Sequence, residues 1–240
     1  MEHPRDTAMT LIPGGADVIR RAGFYDAFTD SDGTTIIGRV AFGDGPPDGS
    51  DLPNMSINLQ PVERETGRFR VLWRRVLHER SGTAYGWSQQ ADPAAQIDCF
   101  RLVVNLEQRP DPSNRVGLGS ERDSLGQLRP TLHWRWGASA QAQLERLRGI
   151  IARAFEDAHL GQVTWQPGQP PDPNAHHHSG TTRMAADAEH GVVDVDARVF
   201  GCENLYVTGA SVLPTAGFAN PTLTIVALAT RLAEHLRTRL

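Results

Sequence analysis

Apolar residues fall along this chain in two rhythms, short alternating islands through most of its length and a helical period in two later stretches. TTIIGRVAF (34–42) and NMSINLQP (54–61) are brief apolar runs between Gly- and Asp-rich segments, the pattern of short strands between loops. GDGPPDGSDLPN (43–54) reads as a loop, and FRVLWRRVLHE (69–79) fits a strand or a helix. FRLVVNLEQRP (100–110) alternates and closes on Pro110 and Pro112, which predicts a strand, and DPSNRVGLG (111–119) reads as a turn entering another. In TLHWRW (131–136), Leu132, Trp134 and Trp136 share one side and Thr131, His133 and Arg135 the other, as in a half-buried strand; the tryptophans read as core rather than substrate platform.

From Ser139 to Ala158 the period lengthens. Leu144, Leu147, Ile151, Ala154 and Phe155 recur at three and four, which predicts an amphipathic helix with Ser139 as N-cap. The Pro-rich stretch QPGQPPDPN (166–174) then reads as an irregular connector. Two extended pieces, GVVDVDARVF (191–200) and NLYVTG (204–209), are expected on either side of a turn at Gly201–Glu203. The second ends in small residues, where backbone can approach a ligand closely. A last helix is predicted after NPT (220–222), with Asn220 as N-cap and Pro221 in the first helical position. Its opening turns, TLTIVALAT, are apolar almost all round, which predicts a buried N-terminal end whose free N–H groups call for a polar or anionic partner.

Composition narrows the function classes without naming one. The 24 basic and 28 acidic residues, net charge −4, are scattered and form no basic stripe for phosphates, which argues against nucleic acid as a partner. The 2 cysteines, Cys99 and Cys202, lie outside any CxxC or His/Cys cluster, so buried reduced thiols are expected. The N-terminus lacks a signal-peptide core and the apolar stretch 221–229 is too short to span a bilayer, so the sequence reads as soluble and cytoplasmic.

The residues best suited to chemistry are His176, His177 and His178, followed by Ser179, Gly180 and Thr181. In an extended segment only His176 and His178 share a side, and no nearby carboxylate or cysteine completes a usual ligand set, so no metal site is assigned. An imidazole with an unperturbed pKa near ~6.5 suits a general base, and a hydrogen-bonded structural histidine is the alternative.

Three strings, HHSGTTRM (177–184), VVDVDARVFGCENLYVTGASVLP (192–214) and NPTLTIVALATRLAEHL (220–236), together resemble, in order and spacing, the C-terminal signature of the glucose-methanol-choline oxidoreductases. Residues 100–136 are similar, more loosely, to that family's substrate domain. The resemblance implies an α+β fold: a mostly antiparallel substrate-domain sheet flanked by helices, plus a C-terminal strand–helix piece that completes an FAD-binding domain. It divides the chain into a substrate-binding part, 1–175, and a catalytic, FAD-completing part, 176–240. It implies oxidation of an alcohol, a sugar among the candidates, by hydride transfer to FAD, with His177 and Asn220 as catalytic residues. Gly209, Ala210 and Ser211 would approach the FAD pyrophosphate and ribitol, and Pro221 and Thr222 the flavin pyrimidine edge.

The family's nucleotide fingerprint, a GxGxxG turn between strand and helix, is not in this sequence: GDGPPDG (43–49) and GLGSER (117–122) fail the glycine spacing. MEHPRD (1–6) is similar to an internal family segment that lies downstream of that fingerprint. The expectation is therefore a fragment or subunit of a larger enzyme whose N-terminal FAD-binding half is the missing partner, and weak FAD binding by the chain alone. A non-catalytic binding module, using TLHWRW and the 43–54 loop, and a His176–His178 metal hydrolase are the alternatives.

Overall fold

The computed structural model describes residues 4–43, 52–64, 86–172, 177–215 and 217–239. The strand-or-helix segment 69–79, His176, and all of the 43–54 loop except Gly43 and 52–54 lie outside the described residues.

The centre is a five-stranded, wholly antiparallel sheet. Its strands are β1 (Arg5–Pro13), β4 (Val40–Ala41), β5 (Met55–Glu63), β6 (Ile97–Leu106) and β9 (Gly161–Thr164), in the order β4-β5-β6-β1-β9. A ribbon of β2 (Ala27–Thr29) and β3 (Thr35–Ile37) and a second of β7 (Arg115–Arg122) and β8 (Leu128–His133) complete the strands. Among the described residues four α-helices accompany them: α1 (Ala16–Ala22), α2 (Pro93–Gln96), α3 (Ala138–Asp157) and α4 (Thr222–Arg237). The fold is α+β with an antiparallel sheet, as expected.

Register explains the core. Met9 opposes Leu102, Leu11 opposes Phe100, and Ile57 opposes Val104, so alternate residues of three strands point to one side. There they meet Leu144, Leu147, Ile151 and Phe155 of α3, all buried. The helical period in 139–158 is therefore real, but Ala154 is exposed and Arg148, an unexpected member of the apolar stripe, is fully buried. The helix starts at Ala138 with Gly137 as its cap and no side-chain cap, so Ser139 is inside the first turn instead of before it.

Arg148 tolerates burial because every nitrogen of its guanidinium donates a hydrogen bond. Its Nε and one terminal nitrogen donate to both oxygens of the buried Asp6 carboxylate at 2.9 and 2.8 Å, the same nitrogen donates to the Gln169 carbonyl at 2.9 Å, and the other donates to Glu145 at 2.8 Å. Asp6 stands at a bulge in β1 and also accepts the Ala8 N–H at 3.1 Å. Glu145 accepts from the Trp165 indole N–H and the Gly168 N–H at 3.1 and 2.8 Å. One charged cluster thus joins sheet, helix and the Pro-rich connector. Burial pushes the Glu145 carboxyl up, but the Gly168 and Trp165 donors and the Arg148 charge outweigh it and hold the group below its ordinary range.

Two sequence expectations change. TLHWRW does not continue as a strand: β8 stops at His133 because the Asn114 side chain takes over the ladder, accepting the Arg135 N–H at 2.8 Å and donating to the Arg135 carbonyl at 3.2 Å. Leu132, still within β8 and opposite Val116, is 60% exposed. Cys99 and Cys202 are free but half-buried instead of buried. Among the described residues, no helix is long and apolar enough to cross a membrane.

Candidate active site

The tail from His177 to Leu213 is held by turns and single bridges, not by the two extended strands that 191–200 and 204–209 predict. The reason is Asp194. Its carboxylate accepts the Asp196 and Arg198 N–H groups at 2.9 and 3.0 Å, folding the chain into a tight turn at 194–198 in which Ala197 takes a left-handed φ of 63°. Burial raises the Asp194 carboxyl, but the two N–H donors and the Arg198 guanidinium outweigh it and lower it. Isolated bridges then join Val193 to Met184 and Val199, and Arg198 to Tyr206. Gly191 is required where it stands, since a Cβ there would come within 2.6 Å of the Arg183 carbonyl oxygen.

This knot brings two of the sequence motifs together. Gly180, Thr182 and Met184 donate their N–H groups to the carbonyls of Ala210, Ser211 and Val212 at 3.2, 2.9 and 2.8 Å. The Thr182 hydroxyl meets the Ser211 hydroxyl at 2.7 Å. The segment that begins at His177 therefore runs beside the Gly209–Ala210–Ser211 turn. Gly209 has φ 118°, ψ −171°, and a Cβ built on it would meet nothing within 4 Å, so its backbone stands open. His177 is half-buried, and Ser179 is buried.

The third motif is differently placed. Helix α4 begins at Thr222 with Pro221 in the capping position, so Asn220 precedes the cap and Pro221 is outside the first helical place. The helix starts on a backbone bond, Ile225 N–H to the Pro221 carbonyl at 2.9 Å, and no side chain caps it. Nor is its N-terminal end buried: Asn220 and Thr222 are exposed, Pro221 is half-exposed and Leu223 is 83% exposed. The contacts that hold α4 come from its later turns, where Arg231 donates to the Val195 carbonyl and the His235 ring lies beside Tyr206 and Asp196. Its first turn is left with open N–H groups and no described residue over Leu223.

A cavity of about 310 Å³ adjoins the histidine segment. Asn114, Arg115, Leu132 and Trp134 line it from the β7–β8 side, and His178, Ser179 and Thr181 from the tail. The sequence reading missed Trp134 as a wall residue. Its indole is half-buried, with the N–H held by the Gln108 side chain at 3.1 Å. Trp136, by contrast, packs against the core, as the sequence reading had it.

Residues 110–229 match the family profile described as GMC oxidoreductase, half of the chain. The chain belongs to the glucose-methanol-choline oxidoreductase family. It is 34% identical over 152 residues to C-glycoside 3-oxidase of Microbacterium trichothecenolyticum, covering 60% of this chain and 28% of that protein. With C-glycoside 3-oxidase of Arthrobacter globiformis it shares 30% over 191 residues, 67% of this chain and 35% of the relative. Pyranose 2-oxidase of Tricholoma matsutake is 31% identical over 156 residues, 60% of this chain and 27% of the relative. This glucose-methanol-choline chain therefore spans about a third or less of these curated relatives. Among solved structures, pyridoxine 4-oxidase is similar at a TM-score of 0.46 and 17% identity, covering 98% of this chain and 44% of that one.

Proposed function

We propose that this chain is the substrate-binding and catalytic C-terminal portion of an FAD-dependent enzyme that oxidises the CH–OH group of an alcohol, a sugar foremost. The observation that supports the reading best is the backbone pairing of 180–184 with 210–212, which sets the histidine segment against an open small-residue turn. The residues present fit a dinucleotide cofactor. Gly209 leaves backbone accessible without a Cβ, and the first turn of α4 offers N–H groups with no side-chain cap, a favourable end for negative charge. In this reading Gly209, Ala210, Ser211, Pro221 and Thr222 hold FAD, and residues 1–175 and 176–240 divide the labour between substrate and cofactor.

FAD, when bound, would supply the two-electron acceptor, taking the substrate's hydride. The chain's own part is the proton and the oxygen: the His177 imidazole takes the substrate hydroxyl proton, while the Asn220 amide donates to the same oxygen and fixes its direction. As the hydroxyl loses its proton its oxygen gains charge, and an imidazolium and an amide N–H stabilise that charge where it forms. The nucleotide-binding partner half, in the same or a separate chain, belongs to this proposal.

The test uses the enzyme reconstituted with its nucleotide-binding half. His177→Ala is expected to slow anaerobic flavin reduction by an alcohol substrate by about 10²–10⁴-fold, the usual contribution of a general base, with bound FAD retained. His178→Ala, which alters a cavity-lining neighbour, is expected to change the rate far less. Equal losses in the two variants, or an unchanged rate in His177→Ala, would remove His177 from the role.

A further inference from the structure

The β7–β8 ribbon carries an apolar face that, among the described residues, no core residue covers. Val116 opposes Leu132 and Leu118 opposes Pro130, and cross-strand partners share a side of the ribbon. Val116, Leu118 and Leu132 are 51%, 72% and 60% exposed. Trp134 follows Leu132 by two positions, and its indole N–H is tied to Gln108, itself only 5% exposed. A half-exposed indole anchored to a buried amide is an aromatic plane whose orientation is settled before anything binds it.

This face does not open onto bulk solvent alone. Val116, Pro130, Leu132 and Trp134 share their cavity with His178, Ser179 and Thr181 of the segment that carries His177. The β7–β8 side of the cavity is mostly apolar and partly aromatic, with Asn114 and Arg115 as its polar members; the other side offers hydroxyl and imidazole groups. A ligand with one hydroxylated end and one apolar end matches this two-sided lining.

We infer that the ribbon face and the Trp134 indole are the specificity wall of the alcohol site, and that they select glycosides with a flat apolar aglycone over free or methylated sugars. The hydroxylated ring lies along the histidine segment and the aglycone against Trp134, Leu132 and Val116. The inference rests on the alcohol-oxidising reading above, but binding tests it without turnover.

The probes are phenyl β-D-glucopyranoside and methyl β-D-glucopyranoside, titrated against the reconstituted enzyme while tryptophan fluorescence is followed, and compared in flavin reduction. The phenyl glycoside is expected to bind on the order of tenfold more tightly, the scale of discrimination an apolar subsite provides. Trp134→Phe is expected to abolish most of the fluorescence response. Leu132→Asn, at an exposed position, is expected to bring the two dissociation constants together by weakening the phenyl glycoside alone. In turnover the same variant should raise KM for the phenyl glycoside and leave kcat in place. Failure of flavin reduction with both sugars, alongside an intact phenyl preference in binding, would sink the redox reading and leave the wall standing. Equal binding of the two glycosides, or a preference untouched by Leu132→Asn, overturns the wall. So does a Leu132→Asn variant whose sole change is in association state, because the face is then a polypeptide interface.

Discussion

Replacing Arg148 by methionine should unfold this protein more readily than any surface change of equal size. The guanidinium is fully buried and makes four hydrogen bonds, three of them to the carboxylates of Asp6 and Glu145 and one to the Gln169 carbonyl. Methionine fills much of the volume, so the loss is electrostatic: among the described residues Asp6, 1% exposed, keeps only the Ala8 N–H as a donor. Stranding one partner of a buried ion pair costs about 3–5 kcal/mol, against about 0–1 kcal/mol for an exposed pair. Urea unfolding followed by circular dichroism and tryptophan emission measures it, and Trp165, bonded to Glu145, reports from inside the cluster. The companion variant Asp6→Leu with Arg148→Met removes both charges and should recover at least half of the loss. A loss below about 1 kcal/mol in the single variant, the range of a solvated pair, would refute the claim that this cluster joins sheet, helix and connector.

Three further outcomes follow from particular contacts. Because the folded state holds Glu145 below its ordinary value of 4.5, its contribution is present above that pH and disappears as pH falls through the lowered value, so Glu145→Gln should flatten the acid limb of a stability–pH profile. Gly191→Ala should loosen the tail by about 1–3 kcal/mol through collision with the Arg183 carbonyl and Ala185, seen as faster proteolysis between 177 and 213 while the sheet stays intact. Asn114→Ala removes both bonds to the Arg135 backbone and should change the emission of Trp134 and the glycoside preference together, whereas a purely local effect would leave the preference unchanged.

The sequence by itself settled what depends on neighbours close along the chain. The strand read at 100–110, which the structure begins three residues earlier, as Ile97–Leu106, and the helical stripe Leu144–Leu147–Ile151–Phe155 were legible because their apolar periods match the geometry of their own elements. The family was legible because three motifs recur in order, and that order survives whatever the surrounding structure does. Placement across the chain was not legible. Arg148 looks like a solvated charge until Asp6, 142 residues away, is brought beside it. Trp134 reads as core because alternation gives a side but does not say whether anything covers that side; the structure leaves it lining a cavity with His178. The apolar start of α4 reads as buried for the same reason, and Leu223 is exposed because no described part of this chain reaches it. Burial is a property of what packs against a residue, and only the tertiary structure decides that.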